Sequence, residues 1–168
     1  MSKKRRVVMF LLCGRRETRA ITSQVGAYGA PMTVTIRTAN IDDVAAVLAL
    51  WLESDAEPSH TDDPAGVTAL LERDPEALIV AEHDGRIVGS VIAADGWRGS
   101  IYRLAVAPEV RRRGLGRRLL EGAHDRLHAA GARRIQAIVV ETDERATSFW
   151  RAAPTWQEQS ERLRFVRG

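Results

Sequence analysis

From Met32 onward the chain alternates between two hydrophobic periods. Thr33-Val34-Thr35-Ile36-Arg37 switches polar and apolar at every step, which predicts a strand with one buried face. After Asn40 the apolar residues Ile41, Val44, Val47, Leu48, Trp51 and Leu52 fall three and four apart, and the Asn40 side chain is placed to cap the helix they predict. A polar loop follows. A second helix then opens on Asp63 as cap and Pro64 at its first position, where a missing N–H costs nothing, and it carries Val67, Leu70 and Leu71. Residues 77–83 and 86–94 read as strands joined by Asp84-Gly85, both of which accept positive φ, so their pairing is antiparallel. A turn-rich stretch leads to a strand over 100–106 that Pro108 ends. A helix over about 115–130 buries Leu119, Leu120, Ala123 and Leu127 and stops at Gly131. Residues 135–140 read as a buried strand, parallel to 100–106 if the helix between them is a right-handed crossover. A short helix over 145–152 and a strand over 162–166 complete the pattern, which is α/β of the α+β kind: a mixed, mostly antiparallel sheet flanked by helices.

Composition changes this picture at one place. The 168 residues carry 45% hydrophobic and 28% charged residues and a formal charge of +3, the figures of one globular domain with a basic balance. The basicity is local. Residues 1–31 hold Lys3, Lys4, Arg5, Arg6, Arg15, Arg16 and Arg19 against Glu17 alone, a net +6, so the remainder carries −3. Residues 1–31 therefore read as a loosely attached basic extension, and 32–168 as the domain, with Met32 a natural start. The apolar run 7–13 is too short for a bilayer span and has arginines directly behind it, so the expected location is cytoplasmic. Cys13 is the single cysteine and lies in the extension, so the domain has no disulfide, no cysteine metal site and no cysteine nucleophile.

The chemistry concentrates in Leu104-Ala105-Val106-Ala107-Pro108-Glu109-Val110-Arg111-Arg112-Arg113-Gly114-Leu115-Gly116-Arg117, a strand, a turn and a helix start. Two glycines one residue apart let backbone approach a ligand, and the open amides of a helix N-terminus favour an anion. No Lys-Ser/Thr follows the second glycine, which excludes a Walker loop, and Leu119 stands at the third position of a Rossmann fingerprint. Arg111-Arg112-Arg113-Gly114-Leu115-Gly116 instead resembles the Gln/Arg-x-x-Gly-x-Gly/Ala motif of the GNAT superfamily of N-acetyltransferases, and the element order after Met32 resembles that superfamily throughout. The resemblance implies a sheet with a central, splayed parallel strand pair. It implies that acetyl-CoA is the cosubstrate, that amides from Arg112 to Arg117, with Arg111 beside them, hold its pyrophosphate, and that the main chain of Leu104, Ala105 and Val106 pairs with the pantetheine arm. Asp143 and Phe149 occupy the superfamily's next cofactor-contacting motif, Asp143 in place of the common Asn. The reaction implied is direct acetyl transfer to a primary amine, of a small molecule or a peptide, in a ternary complex.

The proton-transfer groups stay open. Trp150 stands where the superfamily often has a Tyr that protonates the leaving thiolate, and an indole cannot deliver that proton. Tyr102 is the substitute donor; Glu141, then Glu82, are the candidate bases. The loop acids Glu53, Asp55, Glu57, Asp62 and Asp63 are set to attract a cationic acceptor. Two other classes compete: a nucleic-acid module using Arg111 to Arg118 with the basic tail, disfavoured by the −3 domain and the lack of interleaved aromatics, and an acyl-CoA sensor without turnover, which Trp150 allows. His124 and His128 lack the third ligand of a metal site, so no metal is expected, and a homodimer is compatible with the sequence.

Overall fold

A computed structural model describes residues 21–25, 32–56, 58–94 and 98–159. The alternation after Met32 becomes strand β2, Met32–Thr38, with Val34 fully buried. It is preceded by β1, Ile21–Val25, which the sequence reading had placed inside the extension; β1 pairs antiparallel with β2, Val25 opposite Met32. Strands β3, Leu78–His83, and β4, Arg86–Ala94, form the expected hairpin, with Asp84 and Gly85 at φ +48° and +76°. Then follow β5, Gly99–Val106, and β6, Ile135–Ala137. Among the described residues the six strands lie in chain order, antiparallel except for β5 and β6. The strand expected at 162–166 lies outside the described residues.

Helices α1, Val44–Glu53, and α3, Leu115–Ala129, cover opposite faces of this sheet. Ser90 of β4 meets Trp51 of α1, whereas a Cβ on the adjacent Gly89 would point at Leu115 and Leu119 of α3, and neighbours on a strand face opposite ways. This double cover explains why β3 and β4 are apolar almost without alternation. Helix α2, Pro64–Arg73, runs beside α1, its first turn closed by the Asp63 carboxylate accepting the Gly66 amide at 2.6 Å. Ahead of α1 a 3-10 turn, Ile41–Asp43, is locked by a capping box: Asn40 Oδ1 accepts the Asp42 amide at 2.7 Å and Asp43 Oδ2 accepts the Asn40 amide at 2.8 Å. The tighter turn moves the helical phase, so the buried face of α1 is Val44, Val47, Leu50 and Trp51, and the expected face residues Ile41 and Leu52 are exposed.

Two irregularities shape the centre. Across β4 and β5, Ser90 faces Ala105 but Ile92 faces Tyr102, so β5 carries one extra residue, a bulge with Arg103 at φ +50°. Along β5 and β6 the parallel pairing ends at Ile101 opposite Ala137. The strand expected over 135–140 therefore stops at Ala137, and Ile138 and Val140 are exposed. Helix α4, Glu144–Arg151, follows.

Candidate active site

Where β5 and β6 part, the main chain of β5 beyond Ile101 has β4 on one side and, among the described residues, no strand on the other. This stretch includes Leu104, Ala105 and Val106, and it runs straight into the turn before α3. A 3-10 turn, Pro108–Val110, is followed by Arg112 at φ +64° and Gly114 at φ +85°. The hydrogen-bond ladder of α3 starts with the Arg118 amide on the Gly114 carbonyl at 3.2 Å, which leaves the amides of Leu115, Gly116 and Arg117 outside it. A Cβ on Gly116 would lie 3.7 Å from Val106 Cγ2 and 3.4 Å from Phe149 Cε2, so this open helix end, the end of β5 and α4 converge on one cleft.

The arginines of the motif divide by role. Arg111 turns inward, its Nε donating to the Val106 carbonyl at 2.9 Å and an Nη to the Ser54 carbonyl at 3.1 Å, so it braces the end of β5 against the end of α1. Arg112 and Arg117 are exposed, and Arg113 is half-buried beside Arg86 and Glu109 in a second, shallow cleft of about 590 Å³. Glu109 keeps its carboxyl below the usual range, first through its own backbone N–H and then through Arg86, which also holds Glu53 at 2.7 Å.

Of the candidate proton-transfer groups, one lies on β5 beside the bulge, one on the chain beyond β6 and one on β3. Tyr102, 43% exposed, lies on the α1 face of β5 beside the bulge. Glu141 is exposed on the arm that continues from β6. Glu82 sits two strands away on β3, its carboxylate taken by Arg37 Nη2 at 2.8 Å and Nε at 3.1 Å, while the same guanidinium grips both oxygens of Asp43 at 2.7 and 2.9 Å. Asp143 caps α4, accepting the Ala146 amide at 2.9 Å, so its carboxylate is occupied by its own helix. Phe149 and Trp150 meet edge to face at 5.6 Å, and Trp150 packs on Trp156 at 4.6 Å.

The sequence reading missed the cleft of about 220 Å³ that Phe149, Trp156 and Thr155 form with Arg117, Leu120 and His124 of α3; Trp156 behind Pro154 was its only sequence signal. The loop acids differ from the expectation of a free anionic patch. Glu53 pairs with Arg86, Asp55 with Arg145 at 3.7 Å and Asp62 with Arg103, and Asp63 caps α2, while Glu57 lies outside the described residues. His124 and His128 stack on each other at 6.1 Å, and among the described residues no three His, Cys, Asp or Glu gather as metal ligands.

With this geometry the comparisons with known proteins agree. The family model described as acetyltransferase (GNAT) family matches residues 44–153. The chain belongs to this family. A curated acetyltransferase of Pectobacterium atrosepticum is 37% identical over 110 residues, 65% of this chain and 78% of that protein. Among solved GNAT structures, the PaiA N-acetyltransferase of Thermoplasma acidophilum in complex with coenzyme A superposes with a TM-score of 0.62 at 16% identity, over 71% of this chain and 87% of the other. The diaminobutyrate acetyltransferase of Paenibacillus lautus, in complex with L-2,4-diaminobutyric acid and coenzyme A, superposes with a TM-score of 0.56 at 25% identity, over 64% and 66%. The split parallel pair is thus the fold of the GNAT family, whose activity is acetyl transfer. Among the described residues no helix is long and apolar enough to cross a membrane.

Proposed function

We propose that this GNAT protein transfers an acetyl group from acetyl-CoA to a primary amine by direct attack in a ternary complex. The observation that carries the reading is the parting of β5 from β6 after Ile101 and Ala137, directly beside the open N-terminus of α3. The residues present suit a long, anionic, amide-bearing ligand. The amides of Leu115, Gly116 and Arg117 offer donors to pyrophosphate oxygens, with Arg112 and Arg117 adding charge. The main chain of Leu104, Ala105 and Val106, whose carbonyl Arg111 braces, offers strand-like partners to the pantetheine arm on the side β6 has vacated.

Bound acetyl-CoA supplies a thioester carbonyl open to attack by a neutral amine. In this reading Glu141 takes the proton the amine loses as its bond to the carbonyl carbon forms, directly or through one water. Tyr102, on the other arm of the split, returns a proton to the thiolate as the C–S bond breaks, and water does so in its absence. Trp150, packed between Phe149 and Trp156, holds α4 in place and carries no acid function. In this reading Glu82, whose Oε2 is paired with Arg37, takes no part in proton transfer.

The test is thiol release by the full chain over amino acids, diamines, polyamines, aminoglycosides and peptides, with acetyl-CoA binding followed in parallel. The expected result is release with at least one amine class and a fall in kcat of about tenfold to a hundredfold in Glu141→Gln, with Glu82→Gln unchanged. Acetyl-CoA binding without release over the whole panel replaces the enzyme by a sensor, and salt-sensitive DNA retention indifferent to acetyl-CoA replaces it by a nucleic-acid module.

A further inference from the structure

We propose that Arg103 and Asp62 are positioning residues for the acyl site: their ion pair, seated on Trp51 and Ser90, holds the bulge at which β5 leaves β6 and ties the entrance of α2 to it. The inference rests on the acyltransferase reading above. Trp51 of α1, Ser90 of β4 and Arg103 of β5 form a closed ring, to which Asp62, from the segment ahead of α2, is joined through the Arg103 guanidinium. Trp51 Nε1–H donates to Ser90 Oγ at 2.9 Å, and the Ser90 hydroxyl donates to the Arg103 carbonyl at 3.3 Å. The Arg103 guanidinium lies over the Trp51 ring, 5.4 Å from its centroid, and binds both oxygens of Asp62, Nε to Oδ1 at 2.9 Å and Nη2 to Oδ2. Asp62 Oδ2 in turn accepts the Ser59 amide at 2.9 Å, which ties the turn at 59–62 into the ring.

Three physical points separate this from ordinary packing. Ser90 is completely buried and spends its hydroxyl on the carbonyl of the one β5 residue at positive φ, so the ring fixes the backbone at the bulge rather than a side chain in the core. A bulge sharpens the local twist, and the β5–β6 pairing ends two residues before Arg103, so what holds the bulge also holds the split open. Finally, a glycine at 103 would adopt φ +50° without strain, whereas the arginine and its carboxylate partner are only 15% and 17% exposed and give up hydration to be there. The backbone conformation alone has no need of the charge. The charge connects the bulge to the α2 entrance on the α1 face of the sheet, the face that also carries Tyr102, opposite the α3 side where the helix end opens.

The experiment is amide hydrogen exchange on the full chain, alone and with acetyl-CoA, for Asp62→Asn, Arg103→Gly, Arg103→Lys and the double variant Asp62→Asn/Arg103→Gly, with acetyl-CoA Kd and melting temperature measured on each. Asp62→Asn, made outside the sheet, is expected to speed exchange at 102–105 at least about tenfold, the response of one cooperative unit to losing a largely buried charge pair. Arg103→Gly keeps the bulge free of strain but leaves the Asp62 carboxylate without its counter-ion, so it is expected to lower the melting temperature and to weaken acetyl-CoA binding by about tenfold, with Arg103→Lys intermediate in both because an ammonium cannot reproduce the two-point contact. The double variant should match the worse single one. Faster exchange confined to 58–63 in Asp62→Asn, or an unchanged Kd in Arg103→Gly, overturns the inference. Absence of acetyl-CoA binding in the native chain instead overturns the acyltransferase reading, and the exchange data without ligand still decide whether the ring acts as a unit.

Discussion

Gly114 and Gly116 stand two residues apart and answer to different constraints. Gly114 lies at φ +85° with nothing within 4 Å of where a Cβ would be, so its constraint is conformational; Gly116 has ordinary backbone angles and a Cβ there would meet Phe149 at normal contact distance. Gly114→Ala is expected to cost about 1–2 kcal/mol in denaturant unfolding, from the left-handed conformation alone. Gly116→Ala should leave stability within about 0.5 kcal/mol of native, as the Gly/Ala alternative in the motif agrees, while Gly116→Val should keep the fold and weaken acetyl-CoA. Arg111, which the resemblance sets among the pyrophosphate-binding residues, spends its side chain on two carbonyls. Arg111→Ala is expected to lose about 2 kcal/mol of stability, the worth of charged hydrogen bonds to buried acceptors, whereas exposed Arg112→Ala should lose little stability and some acetyl-CoA affinity. Equal loss of stability in the two variants would refute the division.

At the scale of elements, the capped entry to α1 sets an acid limit. The Asp43 carboxyl is held below its ordinary 3.8, first by the hydrogen bond from Arg37 and also by the Asn40 amide, with burial opposing. As its folded pKa lies below the unfolded one, the unfolded chain takes up the proton first when pH falls; the contribution is complete above about pH 5 and fades as pH drops through the folded pKa. Urea midpoints of native and Asp43→Asn protein should therefore differ at about pH 7 and converge toward about pH 2.5. The cap itself was legible, since Asn40 and Asp63 precede apolar periodicities that only a helix satisfies. What was not legible was pairing. Residues 135–140 are apolar almost without break, which reports that side chains avoid water, and says nothing of whether the backbone has a neighbour; the structure ends the ladder at Ala137. The bulge is equally silent in sequence, because an extra residue in β5 is defined only by its register against Ser90 and Ile92. The cofactor cradle was legible because glycine spacing acts locally, and the Trp51–Ser90–Arg103–Asp62 ring was not, because its members are scattered over more than fifty positions.

For the molecule as a whole, the +3 charge divides by sequence into a basic leader over residues 1–31 and a mildly acidic remainder, but hydrogen bonding does not follow that border. Strand β1 belongs by sequence to the leader and by hydrogen bonding to the sheet, with Ile21 through Val25 matched residue for residue to Ile36 through Met32. Its removal changes what the molecule presents to its own copies. A chain begun at Met32 would keep the hydrophobic core, the cradle and the ring, yet would bare the backbone donors and acceptors of β2 along a strand that alternates valine and isoleucine with threonine. Light scattering should find that shortened chain associating at concentrations where the full chain does not. The segment would then act, in part, as a guard on the sheet: five residues that set a shorter edge, with fewer open backbone groups for a second molecule to enrol, in place of the seven of β2.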